Sequence, residues 1–283
     1  MKKFKYILLI LLSLTLITGC KKDKMDNINI ITTAYPITHL AEKIYGDNST
    51  ITSIYPNGID ITNYEITDKQ INEYAKSDLF IYNGLDSNEK KIATRLLNKN
   101  KKIKLIDATQ GLTVTNSIEE LWISPSNYLM LAQNIKEHLS DFITSSVLKN
   151  EVEKNYENIK LSISKFDANF KIIAENARTK DIIIANSSLS FLQRYGFKTI
   201  SIDSKEEYYK TNLAKARENT SQNINSYIFA IDGKVSDEIK GLGKEIVNVR
   251  SMNNLSVEEV KDKTTYETMM NEFIESLRTE AYT

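Results

Sequence analysis

Residues 147–177, VLKNEVEKNYENIKLSISKFDANFKIIAENA, decide the fold. Their apolar members Leu148, Val152, Tyr156, Ile159, Ile163, Phe166, Phe170 and Ile173 recur every three or four positions, which places them on one face of a helix. No glycine or proline interrupts the run. A helix of this length is either an arm of a coiled coil or a spine between two bodies. The flanking sequence favours the spine, because strand–helix alternation lies on both sides of it.

Upstream, residues 28–33 read as a strand rich in β-branched side chains. Pro36 suits a first helical turn, Ile37, Leu40, Ala41 and Ile44 form a stripe, and Gly46 marks its end. Strands are expected at 51–55, 79–82 and 103–106, helices at 67–75 and 88–98, a loop at 122–125 and a helix at 126–142. Downstream, strands are expected at 181–185, 198–202, 227–231 and 245–249. Helices are expected at 188–195 before Gly196, at 213–224, at 234–242 and around Tyr266–Leu277. The fold class that follows is α/β: two lobes, each a mostly parallel β-sheet flanked by helices, joined by one long spine helix. The expected boundaries are 28–145 for the first lobe, 146–178 for the spine and 179–283 for the second lobe.

The N-terminus differs in kind. Lys2, Lys3 and Lys5 precede an apolar run over 7–16, then Ile17-Thr18-Gly19-Cys20. Basic, apolar and small-residue zones in that order describe a removable signal peptide, here 1–19. The apolar run falls short of the roughly 20 residues a membrane span needs. Leu16-Ile17-Thr18-Gly19-Cys20 resembles the bacterial lipobox, which implies that Cys20 is lipidated, with 20–27 as a tether to the extracytoplasmic face of the cell membrane. Cys20 is the chain's single cysteine. No disulfide is then available, and the core alone must hold the fold.

Lysine plus arginine and aspartate plus glutamate number 37 each, so net charge is zero and no basic stripe points to nucleic acid. The chain has no phosphate-binding glycine loop, no His-Glu-x-x-His and no nucleophile elbow, and Ser187 and Ser188 have no histidine nearby in sequence. An enzyme is not expected.

Further motifs carry a resemblance. They are Thr33-Ala34-Tyr35-Pro36, Ile44-Tyr45-Gly46-Asp47, the run from Pro56-Asn57-Gly58 to Tyr64-Glu65, and Ser77-Asp78 through Gly84. Glu120-Leu121-Trp122-Ile123-Ser124-Pro125 and Tyr266-Glu267-Thr268-Met269-Met270 complete the set. In this order they resemble the solute-binding lipoproteins that serve zinc and manganese ABC importers, and the three prolines all fall in these motifs. The resemblance implies a monomer with one divalent metal ion in an interlobe cleft, Zn²⁺ or Mn²⁺, delivered to an ABC permease. It also implies small lobe movements, because a spine helix resists wide closure.

The family's metal-binding histidines fall on Thr62, Glu120 and Asn186, and its carboxylate ligand falls near Asp232 or Asn253. This set offers oxygen only, which suits Mn²⁺, Mg²⁺ or Ca²⁺ better than zinc. A cleft for a metal chelate, for an organic solute or for no cargo remains the rival, in which the chain serves another ligand or protein partner at the cell surface. Asp60, Tyr64 and Glu65 lie beside Thr62, either as loop hydrogen-bonding groups or as support for a cleft ligand. His39 is expected as a solvated helix residue and His138 as a partly buried one. Trp122 is expected to pack beneath the cleft.

Overall fold

The computed structural model describes residues 23–114 and 117–283. The signal peptide and Cys20 lie outside the described residues. Among those described, two four-stranded sheets stand in the orders β2-β1-β3-β4 and β6-β5-β7-β8, with every pairing parallel. The first comprises β1 Ile28–Thr32, β2 Ser49–Ser53, β3 Leu79–Tyr82 and β4 Lys104–Asp107. The second comprises β5 Asp181–Ile184, β6 Lys198–Ser201, β7 Tyr227–Ile231 and β8 Glu245–Val249. Ile30 and Ile31 are both buried, as are Ile182, Ile183 and Ile184, because helices cover both faces of a parallel sheet.

The helix Ser146–Asn176 runs between the lobes. Each of the eight apolar residues of its stripe is buried. The stripe does not pair with another long helix as a coiled coil would. It packs on the helices Tyr35–Tyr45 and Pro125–Phe142 of the first lobe and Tyr266–Tyr282 of the second. One hydrophobic core therefore runs from Met25 through the spine to Ala281.

Four local expectations need correction. Residues 122–125 are not a loop. Glu120–Ile123 forms a helical turn, and Pro125 opens the next helix, where its missing N–H costs nothing. The helix expected over 234–242 shrinks to Asp237–Lys240, because Asp232 and Gly233 take left-handed backbone angles and Ser236 caps only the later turn. The tether expected over 20–27 is docked from residue 23 onward. Met25 is fully buried, and Asp23 accepts hydrogen bonds from Met25 N, Thr144 N, Thr144 Oγ1 and Ser145 N.

His39 is also not solvated. It is 6% exposed, with its ring facing Tyr35, Tyr128 and Tyr266. Its Nδ1 lies 2.8 Å from Tyr128 Oη and its Nε2 lies 3.3 Å from Glu267 Oε2. Tyr128 replaces at Nδ1 the water that a buried imidazole loses, Glu267 faces Nε2 as an ion-pair partner, and the two tie the closing helix to the first lobe. Burial works to raise the Glu267 pKa, but His39 outweighs it and holds the carboxyl down to about 2. His138 is partly exposed, with Nε2 2.6 Å from Gln110 Oε1.

Candidate functional site

The C-terminal ends of both sheets face a shared cleft of about 900 Å³. Open α/β sheets place their ligands at this edge. The first lobe contributes Asp60, Thr62 and Asn63 from the loop after β2, with Glu119 at the start of the helical turn. The second contributes Asn186 after β5, Asp232 and Lys234 after β7, Asn248 from β8, and Arg250 to Asn254 from the segment beyond it.

That last segment straps the lobes together. Tyr35 N donates to Asn253 O (3.0 Å) and Gly58 N to Leu255 O (2.8 Å). Asn254 Nδ2 donates to Pro56 O and Ile59 O. Trp122, 1% exposed, donates from Nε1 to Ser251 O (2.7 Å), while its own carbonyl accepts from Tyr266 Oη (2.7 Å). Met252 takes a left-handed φ of 59° with its side chain buried, so the strap bends where a side chain anchors it.

The residues proposed from sequence fall unevenly. Thr62 is exposed on a loop that Asp60 organises, with Oδ1 accepting from Thr62 N (3.0 Å) and Oδ2 from Asn63 Nδ2 (2.8 Å). These bonds, the Thr62 N–H foremost, hold the Asp60 carboxyl below the usual range. Asn186 lines the cleft, but its Oδ1 already caps the following 3₁₀ helix Ser187–Tyr195 through Ser188 N. Asp232 accepts Ser251 N at 2.9 Å through Oδ1, and its Oδ2 faces Lys234 Nζ at 3.5 Å. Asn253 donates from Nδ2 to Glu119 Oε1 (3.0 Å), and its buried Oδ1 has no partner. Glu120 is 8% exposed and its Oε2 is also buried without a partner. Tyr64 and Glu65 do not line the cleft. Tyr64 instead accepts Gln70 Nε2 and meets Tyr55 edge-on.

Sequence reasoning missed Glu119, Lys234 and Arg250. A signal for Lys234 existed in Asp232-Gly233, a turn dipeptide at the end of a strand. The carboxylates Asp60, Glu119, Asp232, Glu258, Glu259 and Asp262 line the cleft beside the bases Lys234 and Arg250. Arg250 is paired with Glu259 and with Glu272 (3.3 Å). Burial opposes ionisation of Glu259, but bonds from Ser256 and Arg250 outweigh it and hold its carboxyl below the usual range. Among the described residues no group of three or more His, Cys, Asp and Glu could hold a metal ion. A cation here would rest on mixed carboxylate and amide oxygens, a donor set that fits a hard cation and does not fit zinc's preference for imidazole and thiolate.

Known proteins share this architecture. The Zn(II)-bound ZnuA-like domain of Streptococcus pneumoniae AdcA superposes with a TM-score of 0.72 at 22% identity, covering 91% of this chain and all of that domain. Bacillus subtilis YcdH, described as a metal-dependent lipoprotein, gives 0.73 at 20% identity, covering 91% of this chain and all of that one. In sequence, the zinc-binding lipoprotein AdcA of S. pneumoniae is 24% identical over 98% of this chain, which spans 61% of AdcA's length. The high-affinity zinc uptake system protein ZnuA of B. subtilis is 22% identical over 92% of this chain and 89% of its own length. These relatives are binding proteins and not enzymes. The sequence model of the zinc-uptake complex component A, periplasmic, family matches residues 30–280, and the chain belongs to that family.

Proposed function

We propose that this protein is an extracytoplasmic solute-binding lipoprotein of a metal-type ABC importer, anchored through Cys20, which captures a divalent cation between its lobes and passes it to a membrane permease. The observation that carries this reading is a buried, unpartnered oxygen on a residue of the cleft wall, Asn253 Oδ1, at a position that the family resemblance equates with a ligand. Glu120 Oε2, also buried without a partner, stands next in sequence to the cleft-lining Glu119. A buried acceptor without a donor costs free energy, and a bound cation would remove that cost. The oxygen-only donor set favours Mn²⁺, Mg²⁺ or Ca²⁺ over Zn²⁺. Among the described residues no helix is long and apolar enough to cross a membrane; the lipobox-like run Leu16-Ile17-Thr18-Gly19-Cys20 is what supports a lipid tether.

A second reading rests on a specific observation. Asn186 and Asp232 already have intramolecular partners, and no cluster of three classical metal ligands exists among the described residues. On that reading the fold persists while the cleft serves another ligand. Thermal unfolding of the full-length chain in detergent, titrated separately with Mn²⁺, Ca²⁺, Mg²⁺, Fe²⁺ and Zn²⁺, separates the two. Saturation at 100 times Kd adds about 2.7 kcal/mol to the folded state. The cation reading expects that shift with a hard cation and its loss in Glu120→Ala and in Asp232→Ala. Absence of a shift with every cation would leave only the second reading.

A further inference from the structure

We propose that the Lys234 ammonium is the cleft's own competitor for a cationic cargo, and thereby the residue that sets how tightly this site holds a divalent ion. The proposal rests on the cation-capture reading above.

The backbone places it there. Strand β7 runs into Asp232 and Gly233, whose φ angles are 51° and 63°. Gly233 N then bonds back to Ala230 O and Lys234 N to Ile231 O. A non-glycine residue in this region is uncommon, although aspartate tolerates it better than most. The turn returns Lys234 toward the carboxylate that ends the strand, and Nζ lies 3.5 Å from Asp232 Oδ2. The other carboxylate oxygen, Oδ1, is held by Ser251 N. The carboxylate oxygen left without a protein hydrogen bond is thus the one that the ammonium faces.

The charge around it fits the same role. Lys234 and Asp60 line one cleft from opposite lobes, and Lys234 is among the groups that favour ionised Asp60. The other lining base, Arg250, is engaged by Glu259 and Glu272. The Lys234 side chain is 82% exposed. An exposed lysine–aspartate pair is weak, and the ammonium has solvent into which it can withdraw. It competes with an incoming cation without plugging the site.

The test uses the full-length chain in detergent, at fixed pH and ionic strength, with Mn²⁺ alone as probe and thermal shift as readout. Lys234→Gln is expected to bind Mn²⁺ about tenfold more tightly than the parent. That is the effect of removing one unit charge from about 6 Å of a divalent ion in largely aqueous surroundings. Lys234→Arg, which keeps the charge, is expected to match the parent. So is Lys198→Gln, which removes an exposed charge from β6. The gain should shrink as salt is raised. Equal, measurable Mn²⁺ affinity in parent and Lys234→Gln would overturn the competitor and leave cation capture standing. An equal gain in Lys198→Gln would overturn it as a mere effect of net charge. Silence from both parent and Lys234→Gln would overturn both readings together.

Discussion

In each lobe the first strand sits inside its sheet, flanked by the second and third: β1 between β2 and β3, and β5 between β6 and β7. The lobes differ in how they present the cleft. In the second lobe Asp232 is held by Ser251, Asn186 caps a helix, and Asn253 reaches across to Glu119. In the first lobe the loop apex at Asp60–Asn63 is organised only by its own residues, and Thr62 and Asn63 are exposed. Equal topology thus supports an unequal division. The second lobe's cleft residues are held by partners elsewhere in the fold, and the first lobe's loop apex by bonds among its own residues. The strap at 251–256 bonds to Tyr35, Pro56, Gly58, Ile59 and Trp122 of the first lobe.

The strongest way to break this arrangement is to remove its pivot. Trp122 is buried among both lobes' core residues and links Ser251 to Tyr266. Trp122→Ala is expected to cost about 3–5 kcal/mol, through cavity formation and the loss of the indole hydrogen bond. Urea unfolding measures it. A loss below about 1 kcal/mol would mean that the strap does not depend on the indole, and the lobes would have to be regarded as independently held.

A smaller effect separates the lobes by pH. Both lobes bury carboxylates, and in each lobe burial raises the pKa of one of them. Glu89 in the first accepts Asn83 N at 2.7 Å, and burial pushes its pKa up to about 8. Glu280 in the second is also raised by burial, but it is better supplied with donors, from Asn225 Nδ2 and Ser226 N. A folded pKa above the unfolded value means that the stabilising contribution is full below about pH 4.5 and is lost as pH rises through about 8. Stability should therefore fall across that window, at no more than about 1.4 kcal/mol per pH unit for this one group. Glu89→Gln should flatten the slope in denaturant titrations at pH 5, 6, 7 and 8. An unchanged slope would place its source elsewhere.

The same contrast explains what could be read from sequence. The spine was legible because its period is a local property. Leu148 through Ile173 are all buried, and no other element had to be known. The strands were legible because isoleucine-rich runs ended at turn residues. His39 was not, since its burial depends on Tyr128 and Glu267, 89 and 228 positions away, as hydrogen-bond and ion-pair partners. The helix expected over 234–242 failed because apolar spacing said nothing of two left-handed residues before it. In the site, motif resemblance brought Thr62, Asn186, Asp232 and Asn253 to one cleft. It pointed to Glu120, although the neighbouring Glu119 is the one that lines the cleft. Neighbouring carboxylates on a short helical turn point in different directions, and one sequence offers no means of choosing between them.

The smallest expected effect is the sharpest test of the division between lobes. Thr62 is exposed; its hydroxyl adds support to the Asp60 carboxylate, but the foremost bond is the one its backbone N–H makes to Asp60 Oδ1 at 3.0 Å. Thr62→Ala keeps that bond and should change stability by less than about 0.5 kcal/mol. If the first lobe's loop is an adaptable edge whose order comes from Asp60, the substitution should also leave cation affinity within about threefold of the parent, less than about 0.7 kcal/mol. A loss of tenfold or more in the Mn²⁺ titration would make the Thr62 hydroxyl a direct ligand. The first lobe would then hold the cargo as specifically as the second, and the exposed loop would be a half-site waiting for its ion.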